Sequence, residues 1–251
     1  MSTPVGASSS TTAPGALVEA ATWPAPRVVD VEGWRVGLSG GVTRRAGSTL
    51  PLGDVADLGA AVDRVERCYA QDGAPATFRV GDPGNPAGLT AELERRGYRR
   101  AAVTAVLVRD LTDVPPGPRP DRLHVEDEPA EPWLDVWLGG KGGHRDVSRA
   151  IVAAAPARYL TATDEAGERV GVIRVAFAED WAALSCLQVV PAARRRGLGR
   201  ALTLAATDEA VTAGARRAFL QVEQDNAGAA RLYEGLGFTS AHRYAYLVRQ
   251  A

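Results

Sequence analysis

Lysine is almost missing from this 251-residue chain: Lys141 is the only one, and arginine fills the other basic positions. The formal net charge is −1, so the chain as a whole presents no basic field for a nucleic-acid backbone. Cysteine is scarce too. Cys68 and Cys186 lie in different halves, without the Cys-x-x-Cys or Cys/His spacing of a metal or redox site. This argues against a disulfide scaffold, predicts no metal, and suits reduced thiols in the cytoplasm. No apolar run has the length of a membrane helix, so no membrane partner is expected. Residues 1–22 are rich in Ser, Thr, Ala, Pro and Gly and lack the basic start and apolar core of a secretory signal. They read as a disordered tail.

What remains is ordinary globular chain, 45% hydrophobic and 24% charged, which is enough for one large domain or two modest ones. The run Val114-Pro115-Pro116-Gly117-Pro118-Arg119-Pro120 cannot be helix or central strand. It reads as a stiff linker between residues 23–113 and residues 121–251. In the second region, Leu123–Val125 predicts a short strand, and Trp133–Leu138 and Asp146–Ala154 predict helices around the loop Gly139–Gly143. Arg158–Thr163, Val170–Ala178 and Trp181–Val190 predict an antiparallel meander. Arg200–Ala213 predicts a helix stopped by Gly214, and Ala218–Val222 a buried strand. Asn226 is the expected cap of a helix ended by Gly237, and Tyr244–Arg249 closes with a strand.

The chemistry concentrates where the meander ends. The apolar strand Leu184–Val190 runs into Pro191-Ala192-Ala193-Arg194-Arg195-Arg196-Gly197-Leu198-Gly199-Arg200, which opens a helix. A glycine-bearing, basic loop at a helix N-terminus offers backbone N–H groups and positive charge to an anion. Neither the Walker pattern nor Gly-x-Gly-x-x-Gly is present. The pattern Arg194-x-x-Gly197-x-Gly199 resembles the acyl-CoA loop of the GCN5-related N-acetyltransferases, the GNAT family. Val222-Glu223-Gln224-Asp225-Asn226, followed by Leu232-Tyr233 and Gly237-Phe238, resembles that family's second motif. Together the motifs cover about the last half of the chain.

The resemblance implies an α/β (α+β) GNAT fold: a mixed, mostly antiparallel central sheet flanked by helices. It implies acetyl-CoA as co-substrate, no metal, and direct acetyl transfer to a primary amine on a small molecule or peptide. A non-catalytic acyl-CoA-binding protein is the rival reading, and a homodimer is compatible with either. The implied cofactor contacts are Val189, Val190, Arg194, Arg195, Arg196, Gly197, Leu198, Gly199, Arg200 and Asn226. The backbone at Val189 and Val190 is expected to leave an N–H unpaired for the thioester carbonyl, although both are equally core valines. Tyr233 shares a helix face with Asn226 and Ala230 and is the candidate to hydrogen-bond the leaving sulfur. Glu223 is the first candidate for general base, with Glu179, Asp180 and His144 behind it. Trp133 reads as core, and Trp137 stays open between core and acceptor site.

One offset runs through the chain. Pro51 and Pro191 differ by 140 positions, as do Gly59 and Gly199, Gly97 and Gly237, and Leu107-Val108-Arg109 and Leu247-Val248-Arg249. This predicts an internal duplication whose N-terminal copy is a degenerate GNAT-like half-domain. There Asp54, Val55, Ala56 and Asp57 stand against Arg194, Arg195, Arg196 and Gly197, and Leu93 stands against Tyr233. Carboxylates at that helix start would repel a pyrophosphate.

Overall fold

The computed structural model describes residues 13–112, 114–139 and 144–249. The N-terminal half comprises α1 (Gly15–Thr22), β1 (Arg27–Val31), β2 (Trp34–Leu38), β3 (Thr49–Leu50), α2 (Leu58–Asp72), β4 (Thr77–Val80), α3 (Leu89–Arg95) and β5 (Arg99–Asp110). The C-terminal half opens with β6 (Leu123–Glu126), α4 (Glu131–Leu138), α5 (Arg145–Ala153) and the meander β7 (Ala157–Thr163), β8 (Arg169–Ala178) and β9 (Trp181–Val189). It continues with α6 (Leu198–Thr212), β10 (Arg217–Glu223), α7 (Ala227–Glu234) and β11 (Thr239–Val248). The expected α/β architecture is present: a mixed, mostly antiparallel sheet flanked by helices.

All the strands join one 11-stranded sheet, in the order β1-β2-β3-β4-β11-β5-β10-β9-β8-β7-β6. The halves are interleaved at its centre. β5 lies antiparallel beside β10, with Leu107 opposite Leu220, and β11 lies antiparallel beside β4, with Leu247 opposite Phe78. Each half's last strand therefore completes the other half's sheet. The proline-rich segment is irregular, as its composition requires, but it divides the sequence and not the sheet. It lies along α6, where Arg119 pairs with Asp208 and Glu209.

Strand alternation sorts the core onto two faces. In β5, Val106 and Val108 join the cluster of Trp133, Ile151, Val152 and Tyr159 under α4 and α5. Leu107 points the other way, to Leu202, Ala205, Ala206 and Ala210 of α6. A third cluster packs Ala61, Val62 and Val65 of α2 and Leu89 and Leu93 of α3 against Trp34, Phe78 and Tyr98.

The tail expectation needs correction. Residues 1–12 lie outside the described residues, but Gly15–Thr22 is helix α1, with Val18, Glu19 and Thr22 buried. Its sequence, Gly-Ala-Leu-Val-Glu-Ala-Ala-Thr, holds good helix formers that the surrounding Ser/Thr/Pro composition masks. Tertiary contacts fix it: the Arg174 guanidinium donates from Nη1 to the Thr22 carbonyl at 3.0 Å.

Candidate active site

β9 and β10 pair in parallel only from Trp181 to Leu184 against Arg217 to Leu220. Beyond Leu184 they part. β9 also bulges there: Ser185 faces Arg174 and Gln188 faces Val172, so Cys186 and Leu187 together oppose Ile173. Cys186 adopts a left-handed φ of 59°. The parted strands open a cavity of about 860 Å³, lined by β9 at Leu184–Leu187, by the end of β10, and by Asn226 and Tyr233 of α7.

Below the opening, Pro191–Ala193 forms a 3-10 turn and α6 begins at Leu198. Gly197 holds the cap position at φ 80°, a conformation glycine takes without strain, and no side chain caps the helix. The backbone N–H groups of Leu198, Gly199 and Arg200, the first turn of α6, find no backbone acceptor among the described residues. The arginines divide into two pairs. Arg194 Nε donates to the Val189 carbonyl at 3.0 Å, and Arg200 Nη1 donates to the Gly235 carbonyl at 3.1 Å. Arg195 and Arg196 are exposed and have no hydrogen-bond or ion-pair partner among the described residues. A Cβ at Gly199 would touch Leu187, Val189 and Leu232 at ordinary distances of 3.8–4.0 Å, so this glycine sits where α6 crosses β9 and α7.

The free amide expected at Val189 or Val190 is narrowed by the structure. Val190 N–H donates to the Val170 carbonyl at 3.0 Å, so Val190 offers none. Backbone alternation turns Val189 toward the open side, where Arg194 reaches its carbonyl. The unpaired edge begins earlier than expected, after Leu184, because the bulge ends the parallel pairing.

Tyr233 lines the cavity, and its ring meets Phe238 edge-on at 6.0 Å. Its hydroxyl has no protein partner among the described residues. Burial, with a smaller contribution from Cys186, pushes its pKa up to about 12, so the phenol stays protonated at physiological pH. Asn226 caps α7 as expected, its Oδ1 accepting from Ala229 N–H at 3.1 Å. Glu223, at the end of β10, lies on the cavity rim and pairs with Arg44 at 2.7 Å. The other base candidates lie elsewhere. Asp180 is bound to Arg217 at the far end of β9, and Glu179 and His144 do not line the cavity. Trp133 is fully buried, whereas Trp137 reaches the cavity wall. Of the glycine loop, residues 140–143 lie outside the described residues.

Sequence reasoning missed an entire wall. Trp23 and the loop Gly41–Arg45 come from the N-terminal half, and Tyr244 and Tyr246 come from β11. The Tyr-x-Tyr alternation carried a signal for the last two, since residues two apart on a strand share a face. Behind this wall lies a buried polar cluster. Arg79 binds Glu19 through both terminal nitrogens, at 2.8 and 3.1 Å, and Asp82 at 2.6 Å. Burial alone would raise the Glu19 carboxyl, but His242 and Arg79 outweigh it and hold the group below its ordinary range. Among the described residues no group of three His, Cys, Asp or Glu is arranged to hold a metal ion, and no helix is long and apolar enough to cross a membrane.

Residues 16–247 match the family described as "Probable histone acetyltransferase Rv0428c C-terminal". The uncharacterized N-acetyltransferase YobR of Bacillus subtilis is 25% identical over 239 residues, covering 92% of this chain and 96% of that protein. A mycothiol acetyltransferase of Actinosynnema mirum is 30% identical over 211 residues, covering 78% of this chain and 68% of its own. Among solved structures, a GCN5-related N-acetyltransferase from Kribbella flavida has a TM-score of 0.66 at 18% identity, covering 90% of each chain. A tandem GNAT protein from the clavulanic acid biosynthesis pathway has a TM-score of 0.59 at 17% identity, covering 76% of this chain and 68% of its own. A family match across nearly the whole length and a shared fold lead to one conclusion: this chain belongs to the GCN5-related N-acetyltransferases and is an acetyltransferase of that fold.

Proposed function

We propose that the protein transfers an acetyl group from acetyl-CoA to a primary amine by direct attack, using a single site in its C-terminal half. The observation that carries this reading is the uncapped start of α6, whose first-turn N–H groups stand unpaired beside two unpaired arginines, at the foot of the β9–β10 opening. The N–H groups of Arg195–Arg200, the helix dipole, and Arg195 and Arg196 suit a pyrophosphate. The open edge of β9, including Val189, suits an extended arm that lacks a strand partner.

Acetyl-CoA supplies an activated thioester. A backbone N–H on the open edge of β9 polarises its carbonyl oxygen. The amine nitrogen forms the new bond to the acetyl carbon as the carbon–sulfur bond breaks and its electron pair leaves on sulfur. Tyr233 donates a hydrogen bond to that sulfur. With its pKa near 12 against about 8.5 for a thiol, it stabilises a thiolate rather than surrendering its proton. Glu223 takes the proton that the amine loses. The acceptor class is a small-molecule or peptide amine: one relative is named for mycothiol and another for the alanine of ribosomal protein bS18.

Within this reading the N-terminal copy is inert. Its helix start is occupied by its own carboxylate, and its cleft is bridged by hydrogen bonds. Isothermal titration with acetyl-CoA tests both parts. One site per chain is expected. No binding would defeat the transferase reading, and two sites would defeat the inert copy.

A further inference from the structure

The wall contributed by the N-terminal half carries a charge that the mechanism above leaves unused. Arg44 and Arg45 both line the cavity, but only Arg44 has a carboxylate, Glu223 at 2.7 Å. Arg45 is half-buried, its guanidinium carbon lies 4.8 Å from the centre of the Trp23 ring, and no carboxylate pairs with it among the described residues. Its charge is felt by the cavity's other aromatic groups. Burial pushes the phenols of Tyr244 and Tyr246 up, and Arg45 opposes that push at both. On the same wall, the Trp23 indole N–H is a buried donor with no acceptor among the described residues. Arg45 thus stands as a cation without a carboxylate in a cavity whose own carboxylates, Glu223 and Asp225, come from the β10 end.

We propose that Arg45 binds a carboxylate of the acceptor, so that the substrate is an amino acid or a peptide whose carboxylate accompanies its amine. The assignment rests on the acetyl-CoA-to-amine reading above. A half-buried guanidinium lying over an indole has fewer orientations to lose, and its donor fork matches a planar carboxylate. A single unpaired arginine matches a single negative charge. A phosphate dianion would call for a second cation, and Arg44 is committed to Glu223. Glu223 and Asp225, toward the β10 end, favour the ammonium form of the amine before it loses its proton.

The test uses the full chain with saturating acetyl-CoA and a panel of matched acceptors: free amino acids and dipeptides, their C-terminal amides, and an aminoalkyl phosphate. The readout is the free thiol of CoA. The free acids should exceed their amides in kcat/KM by roughly tenfold or more, the discrimination expected of a charge-assisted pair. Arg45→Met should collapse that ratio toward one, and Arg45→Lys should keep part of it. The acetyl-CoA dissociation constant, measured by titration, should not move in either variant. Equal rates for acid and amide, a preference for the phosphate, or an unchanged ratio in Arg45→Met would each overturn the assignment. So would weakened acetyl-CoA binding in Arg45→Met, which would give Arg45 to the co-substrate. Acetyl-CoA binding without turnover of any panel member overturns the carboxylate assignment alone, whereas absent acetyl-CoA binding defeats the underlying reading.

Discussion

Two helices of equal length, α2 and α6, begin 140 residues apart at corresponding places in the two halves, and their first turns are opposites. At α2, Asp57 is the cap, in extended conformation, and its Oδ1 accepts from Ala60 N–H at 3.0 Å. At α6 the cap is Gly197, left-handed and without a side chain. The clefts above them differ as well. In the N-terminal half, Gly53 N–H donates to the Gly84 carbonyl at 2.7 Å, and Asn85 Nδ2 donates to the Pro51 carbonyl at 3.0 Å, which ties the loops after β3 and β4 together. In the C-terminal half, the Gln224 N–H instead binds the Val103 carbonyl of β5, and the opening stays clear. The helix that follows carries buried Leu93 in one half and cavity-lining Tyr233 in the other. The same backbone arrangement is thus closed by packing in one half and left open in the other. What differs is whether its polar groups are satisfied from within.

The largest effect is expected where the N-terminal half supports the site. Glu19→Gln leaves Arg79 buried with reduced compensation and should cost about 3 kcal/mol of stability, read by chemical denaturation. Because the Glu19 carboxyl is held below its ordinary value, its contribution is complete above about pH 4.5 and is lost as pH falls through the folded value. The variant should therefore also lose part of the acid sensitivity. Wild-type stability in Glu19→Gln would show that the two halves are not joined through this cluster.

The comparison of helix starts is broken most directly by giving α6 the chemistry of α2. Gly197→Asp should weaken acetyl-CoA binding about a hundredfold by placing a carboxylate against the pyrophosphate. Gly197→Ala shares the left-handed strain without the charge and should weaken binding only a few-fold. Equal losses in the two variants would mean that backbone strain, not charge, distinguishes the helices.

Tyr233→Phe sharpens the second contrast. Turnover should fall roughly ten- to hundredfold with acetyl-CoA affinity retained. The unfolding midpoint at neutral pH should hold, since the hydroxyl has no protein partner among the described residues. In the parent, the stability that comes from the raised pKa is complete below pH 10 and is lost as pH climbs toward 12, so the variant should show a shallower alkaline decline. The smallest effect belongs to Asp57→Ala, which removes the α2 cap and should cost about 1 kcal/mol. It should create no second acetyl-CoA site, because the bonds from Gly53 and Asn85 still close that cleft.

Much of the second half was legible because its signals are local. The meander follows from two-residue alternation between turns, α6 from its apolar stripe and Gly214, and the α7 cap from Asn226. Helix α1 was hidden by the composition around it, since eight residues of adequate helix propensity say nothing about burial until Thr22 and Glu19 meet Arg174 and Arg79. The 140-residue spacing sets α2 against α6 and the turn at Gly97 against that at Gly237, where φ is 87° and 83°. It could not reveal that β5 and β11 trade places, because either pairing buries the same alternating residues.

The sequence by itself determined the succession of strand, basic loop and helix at 184–212, because glycine placement and charge act over a few residues. It also determined how the two helix starts differ, since Asp57 and Gly197 cap their first turns in different ways. Only the tertiary structure decided where β9 and β10 part, since a bulge at Cys186 and Leu187 is a matter of register with β8. It alone brought Trp23, Arg44 and Arg45 to the cavity facing Glu223, 179 positions from Arg44 along the chain. No local pattern encodes that meeting. It follows from the exchange of β5 and β11, which sets the N-terminal half against the open edge of the C-terminal one.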